Sequence, residues 1–354
     1  MNQAVLTGLI GGATGLLIAI VTSFIIPYVH KKQEKVEQKR SIYEKYAQPL
    51  AADAANLLWR LDEILLKRRG QYLQEDAPPT LFNEYKLIST CYRLAAVLGW
   101  IRAIKLEQSY LFYGYHAAVD SLRSAVVDFE YALAESPKVE IGVLNGLAQL
   151  WTIELLGKGD LVARIAAQIV ADKQHFLAKY GLTRYHELAA LDDEKGLDVV
   201  RHIAESITRM LGRSPVAGEV LGDKLREALT IVGVKEAWIY RDWQQAIGDL
   251  MTRKIDGGVR RFDIIGYGAF ETLYREAGSP WLARLRDVVI GIDVARPEAA
   301  DLRLEQLRHV ARATASLVCS IEMLDLERRV LDPKACDLAR KFLAELPAMP
   351  DAPA

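Results

Sequence analysis

The sequence predicts an all-α protein: an N-terminal single transmembrane helix followed by a cytoplasmic multi-helix bundle. Three observations lead there. Residues 4–28 carry no charged side chain and are apolar on every side. Basic residues follow at once, Lys31, Lys32, Lys35, Lys39 and Arg40, against only Glu34 and Glu37. From about residue 49 onward, apolar residues recur at intervals of three and four, the period of an amphipathic helix.

The first segment, VLTGLIGGATGLLIAIVTSFIIPYVH, poses a choice. Its glycines resemble a phosphate loop. Such a loop needs a strand before it and an amphipathic helix after it. Here the following residues have no polar outer face. The run from Ala4 to Tyr28 is long enough to cross a hydrocarbon core of about 30 Å at about 1.5 Å per residue. A cleaved signal peptide would place positive charge before the apolar run. Here it comes after, and positive charge stays on the cytoplasmic side. The expectation is a span over 1–29 in the cell (inner) membrane, N-terminus outside, with the remaining chain in the cytoplasm. Residues 30–48 would form a basic stalk helix against the lipid bilayer. The glycines then read as a packing face. At about 100° per residue, Ala4, Gly8, Gly11, Gly12, Gly15, Ala19 and Ser23 share one arc of the helix, with Leu6, Leu9, Leu17, Ile20 and Phe24 opposite. Small residues spaced by four let two backbones approach closely in lipid. The partner of that face is a second copy, giving a homo-oligomer, or another protein.

Beyond the anchor, Leu50, Ala54, Leu57, Leu58, Leu61, Ile64 and Leu65 form one stripe, with Pro49 suited to the first turn. A second helix is expected over 81–111. A third carries Tyr115, Ala118, Val119, Leu122, Val126, Phe129 and Leu133. SPKVEIG, 136–142, is the clearest punctuation and divides a helical subdomain at 49–135 from one at 141–345, which could pack as one body. Within the second, GKGD, LDDEKG and GRSPVAG interrupt the pattern. Helices are expected over 219–254, 261–277 and 299–331. DVVIGIDV, 287–294, has strand-like residue types, but an isolated strand leaves its edges unsatisfied, so a short buried helix is preferred. The proline-rich tail 346–354 reads as disordered. No further transmembrane span is expected.

Charge excludes some functions. Forty-five basic residues stand against 46 acidic ones, so nothing suggests a nucleic-acid surface. Cys91, Cys319 and Cys336 are scattered, with neither metal spacing nor a disulfide framework. His186-Glu187 begins like a zinc-protease helix, but the position four after His186 is Ala190, so no second ligand shares its face. His202 and Glu205 are three apart in the reverse of the di-iron order. Walker loops and Gly-x-Ser-x-Gly elbows are missing from the sequence. No catalytic or metal residue and no cofactor is assigned. Two aromatic clusters remain: Tyr110, Phe112, Tyr113 and Tyr115, and Trp238, Tyr240 and Trp243. Each either packs helix on helix or lines a pocket or partner groove.

Three short motifs carry a resemblance. Tyr46-Ala47-Gln48-Pro49-Leu50, Leu98-Gly99-Trp100 and Gln244-Gln245-Ala246-Ile247-Gly248-Asp249-Leu250-Met251 occur in that order. They resemble an uncharacterised group of bacterial membrane-anchored helical proteins that carries YAxPL, LGW and QxAIGxxM segments. The likeness covers most of 43–312. It implies a helical, membrane-tethered cytoplasmic protein and supplies no activity and no site residues. Physically, a glycine inside a helix costs about 1 kcal/mol relative to alanine. Close helix approach at Gly99 and Gly248 would offset that cost. The function expected is a tethered interaction, scaffold or sensor module with an unknown protein partner. One alternative is a defence or pore-type effector that oligomerises through its anchor, although an apolar span forms no water-lined pore by itself. The other is an enzyme with an unrecognised helical site.

Overall fold

The computed structural model describes residues 45–108, 117–134, 137–155, 159–257, 260–276, 280–296, 300–324 and 331–346. The expected anchor with its small-residue face, the basic cluster, the four aromatics between 110 and 115 and the tail from 347 lie outside the described residues. The described residues are 76% helical with almost no strand, an all-α fold.

Helix α1 covers 45–61 and widens into a π turn over Asp62–Leu66. Helix α2 is Leu81–Gln108. The two run antiparallel. Tyr46 meets Glu107 at one end, Trp100 Nε1 donates to Asp53 Oδ2 at 2.7 Å midway, and Arg60 Nη2 donates to Ser89 Oγ at 3.0 Å near the other. Lys86 pairs with Glu63 beyond that. Helix α2 is long and apolar enough to cross a membrane, yet 72% of its apolar stretch lies inside the body. It is apolar all round because other elements surround it, which is how a core helix reads.

Helix α3 is Ala117–Ala134, α4 Pro137–Leu150, α5 Gly159–Tyr180, α6 Asp193–Met210, α7 Gly218–Asp223 and α8 Leu225–Val232. Then come α9, Arg241–Met251, and a two-stranded antiparallel hairpin, β1 Thr252–Lys254 and β2 Phe262–Ile264. The chain continues with α10, Tyr267–Arg275, α11, Pro280–Val289, α12, Arg303–Leu324, and α13, Pro333–Glu345. Two start signals written in the sequence are used. Asp192 accepts from the Lys195 amide at 2.9 Å to cap α6, and Asp332 caps α13 with Pro333 in its first turn.

Several boundaries differ from expectation. The expected helix 219–254 is broken into α7, α8, an extended stretch over 234–240 and α9. The expected helix 261–277 begins with β2 and becomes helical only at Tyr267. DVVIGIDV is helical through Val289 and then turns at Gly291, whose φ of 71° is the left-handed region that suits glycine.

Buried apolar residues fall into two clusters. The first draws on residues 46–133 and again on 237–342. The second draws on 143–234. The change near 135 coincides with SPKVEIG. A second change falls near 235, where the sequence shows no comparable punctuation.

The return path is an extended segment with its polar groups satisfied from several sides. The Lys235 amide donates to Ala300 O at 2.8 Å, and the Ile239 amide to Leu133 O at 2.8 Å. Gln244 Nε2 donates to Glu130 O and Ile239 O, both at 2.7 Å. Gln306 Nε2 donates to Leu133 O and Ala237 O at 3.2 and 3.1 Å. Buried glutamines thus replace the neighbouring strand that this stretch lacks.

Candidate functional site

The three motifs of the resemblance meet in one joint. A Cβ on Gly99 would stand 2.8 Å from Met251 Cβ and 2.9 Å from Ile264 Cγ2. One on Gly248 would stand 2.7 Å from Arg102 Cβ and 3.2 Å from Leu98 O. Real Cβ contacts do not come that close, so α2 and α9 cross at glycine on both sides. Trp100, next to Gly99, is edge-on to Tyr46 at 6.3 Å and lies under the Arg260 guanidinium at 5.0 Å. The Tyr46 hydroxyl accepts the Phe262 amide at 3.2 Å. Burial raises the Asp53 carboxyl above its ordinary pKa, while its bonds from Trp100 and Asn56 and the nearby Arg93 oppose that shift. Every group here is engaged by a neighbour, so the joint is architectural.

The expected aromatic group on 238–243 does not form one pocket. Trp238 is buried and its Nε1 donates to Glu236 Oε2 at 3.2 Å. Tyr240 is 55% exposed. Trp243 turns the other way, edge-on to Trp281 at 5.0 Å, with Nε1 donating to Trp281 O at 2.9 Å and Arg284 over its ring at 5.2 Å. His186 sits in a short 3₁₀ turn, Tyr185–Ala190, and its neighbour Glu187 accepts the amides of Thr183 and Arg184 at 2.8 and 3.2 Å. Among the described residues, no group of three or more His, Cys, Asp or Glu is placed to hold a metal ion.

A different constellation lies at the passage between the two apolar clusters. Lys173 of α5 is only 3% exposed. It lines a small cavity with Val139, Glu140 and Val143 of α4, Ile169 and Val170 of α5, Tyr185, Glu236 and Tyr240. The Lys173 amine stands 3.9 Å from the centroid of the Tyr185 ring, a cation–π distance for its charged form. Burial lowers the Lys173 pKa, opposed by Glu236 and Glu140. Burial raises the Glu236 pKa, opposed by Lys173 and by the bond from Trp238. Both shifts favour the uncharged form of each group. The cavity, about 20 Å³, has room for one or two waters and not for a metabolite.

The sequence holds a signal for this site that periodicity alone passed over. Ile165, Ile169, Lys173 and Phe176 follow at four, four and three on α5, so Lys173 occupies a position of the buried stripe. A lysine there is costly unless it has company. Glu236 could not be found the same way, because it lies on the extended return segment. Set against known proteins, no family model matches this chain, and no curated protein and no solved structure matches it either.

Proposed function

We propose that the chain is a single-pass membrane protein whose cytoplasmic helical body binds a protein partner at the end farthest from the anchor. The observation that carries this reading is an apolar surface at the start of α2. Leu81 is 81% exposed, Phe82 64% and Tyr85 46%. Contiguous exposed apolar residues of this size mark interaction sites more often than chance exposure does. The hairpin geometry supports the orientation. Tyr46 and Glu107 share one end, where residues 1–44 join, and Leu81 lies at the other end of a 28-residue helix, a separation of about 42 Å at about 1.5 Å per residue. The surface would face away from the bilayer. Lys86 lies over the Phe82 ring at 5.9 Å and Tyr85 stands edge-on to Tyr267 at 5.9 Å, so the patch is held in shape by its surroundings.

The test is a photo-crosslinking residue at Phe82 in the full-length protein in its own membrane. One discrete heavier adduct is expected, and it should disappear when Leu81→Asp and Tyr85→Asp are added. The same crosslinker at exposed Arg164 is the control. Equal adducts from both positions, or none from Phe82, would defeat the reading. An adduct of twice the chain's mass would replace the separate partner by a second copy. The oligomerising-effector alternative is supported by the arc of small residues from Ala4 to Ser23, and its test is given at the molecular scale below.

A further inference from the structure

We propose that the hairpin of β1 and β2 is a second membrane contact: its basic residues dock on the anionic headgroups of the leaflet beside the anchor and stand the α1–α2 pair upright on the bilayer. The contact presupposes the N-terminal anchor proposed above and adds a surface of the body to it. The hairpin lies at the matching end of the molecule. Thr252 and Ile264 face each other beside Gly99, and Lys254 and Phe262 face each other farther toward the anchored end. There the Phe262 amide donates to the Tyr46 hydroxyl at 3.2 Å, and Tyr46 meets Glu107 near the C-terminus of α2. The Ile255 amide, donating to Arg261 O at 2.9 Å, carries the ladder one step beyond. The hairpin therefore projects at the end where residues 1–44 join, and the exposed Leu81, Phe82 and Tyr85 lie at the opposite end.

The charge at this end fits an anionic surface. The hairpin carries Arg253, Lys254, Arg260 and Arg261 against Asp256 and Asp263. Asp263 is shared by two guanidiniums, Arg253 at 3.2 Å and Arg260 at 3.1 Å, so one carboxylate answers two cations. Arg260 also lies over the Trp100 ring at 5.0 Å, which holds the hairpin against α2. Arg253, Lys254 and Arg261 are exposed. Residues 30–45, from the end of the expected span to the first turn of α1, add six basic residues against three acidic ones. Over 30–45 and 252–264 together, ten basic residues stand against five acidic ones, whereas the rest of the chain has 35 against 41. Positive charge is thus gathered at the end that meets the bilayer. A basic residue close to an anionic leaflet strengthens binding about fivefold, and the effect fades within a Debye length of about 8–10 Å. These few residues orient a body that is already tethered, and they do not hold one that has lost its anchor.

The test puts a photo-crosslinking residue at exposed Asp256 of the full-length protein. The protein is reconstituted into phosphatidylcholine vesicles, with or without about a third phosphatidylserine. An alkaline wash followed by flotation reports the anchor separately. A retained chain with a lipid adduct at Asp256 is expected, its yield about fivefold or more higher with phosphatidylserine and falling at high salt. The same crosslinker at Phe82, about 42 Å away along α2, should give no lipid adduct. Lys254→Glu with Arg261→Glu should cut the adduct about fivefold or more and leave the helical circular dichroism unchanged. Lys254→Arg with Arg261→Lys keeps both charges and should keep the adduct. A chain washed from the vesicles overturns the anchor and this contact with it. A retained chain overturns the contact alone if it gives no lipid adduct at Asp256, equal adducts in both vesicles, equal adducts at Phe82, or an adduct that charge reversal does not diminish.

Discussion

Gly142 is exposed in the interior of α4, and a Cβ built on it meets nothing within 4 Å. Gly99 and Gly248 are buried in the α2–α9 crossing, where the same Cβ would fall under 3 Å from neighbouring side chains. The three therefore respond oppositely to alanine. Gly142→Ala should stabilise by about 0.5–1 kcal/mol through helix propensity. Gly99→Ala and Gly248→Ala gain the same propensity but must push α2 and α9 apart, for a net loss of about 1–2 kcal/mol. Chemical unfolding of the three variants checks this, and a destabilised Gly142→Ala would contradict the helix assignment. Asp53 carries a pH prediction. Its folded pKa is raised above the ordinary 3.8, mainly by burial. The stabilising contribution of a raised acid is fully present below the unfolded pKa and is lost as pH rises through the folded one. Asp53→Asn keeps an acceptor for Trp100 Nε1 and removes the titration. The natural protein should thus lose stability relative to Asp53→Asn as pH rises through and above the ordinary 3.8. Melting curves across that range would show a constant difference if the carboxyl did not titrate with folding.

The extended stretch over 234–240 depends on Gln244 of the adjoining α9 and on Gln306 of α12, far away in sequence. Gln306 is 1% exposed and its Nε2 bridges Leu133 O and Ala237 O. Gln306→Leu fills similar space and leaves the Ala237 carbonyl without its donor, while Leu133 O keeps the Ile239 amide, at about 1–3 kcal/mol. The loss should be local. Hydrogen exchange should report the amides of 235–239 opening first, while those of α2 keep their protection. Uniform loss across the body would mean that the segment and the main core open together. At this same scale α2 shows why apolarity alone does not define a membrane span. It is buried by α9, α10, α11, β2 and the antiparallel α1, so the apolar surface that lipid would cover is covered by protein.

The topology prediction belongs to the whole molecule. Lys31, Lys32, Lys35, Lys39 and Arg40 favour a cytoplasmic body. A cytoplasm-dependent reporter fused after Ala354 should be active and an export-dependent one silent, and the reverse would invert the orientation. Removing residues 1–29 should release the body into the soluble fraction. If the small-residue arc joins two copies, Gly12→Leu should weaken self-association in bilayers, measured by energy transfer at fixed lipid ratio, while Leu17→Ala on the opposite side should not. Equal losses would indicate damage to insertion, and no loss from either would leave the body as the only surface for assembly.

Periodicity by itself determined that the described body is helical and where α1 and α2 lie. Those features depend on residues within a few turns of one another, which is the range over which helical spacing and caps act. The extra cost of glycine in a helix also pointed to close approach at Gly99 and Gly248, though not to each other. The break of 219–254 into three helices and an extended return was not legible, because the partners that stabilise the extended form, Glu130, Leu133, Ala300 and Gln306, lie tens of residues away. Lys173 was visible as a charge on an apolar stripe, but its meaning was not. Only the tertiary structure brings Glu140, Tyr185, Glu236 and Tyr240 around it, since their meeting is set by how the second cluster packs beside the return segment rather than by any spacing along the chain.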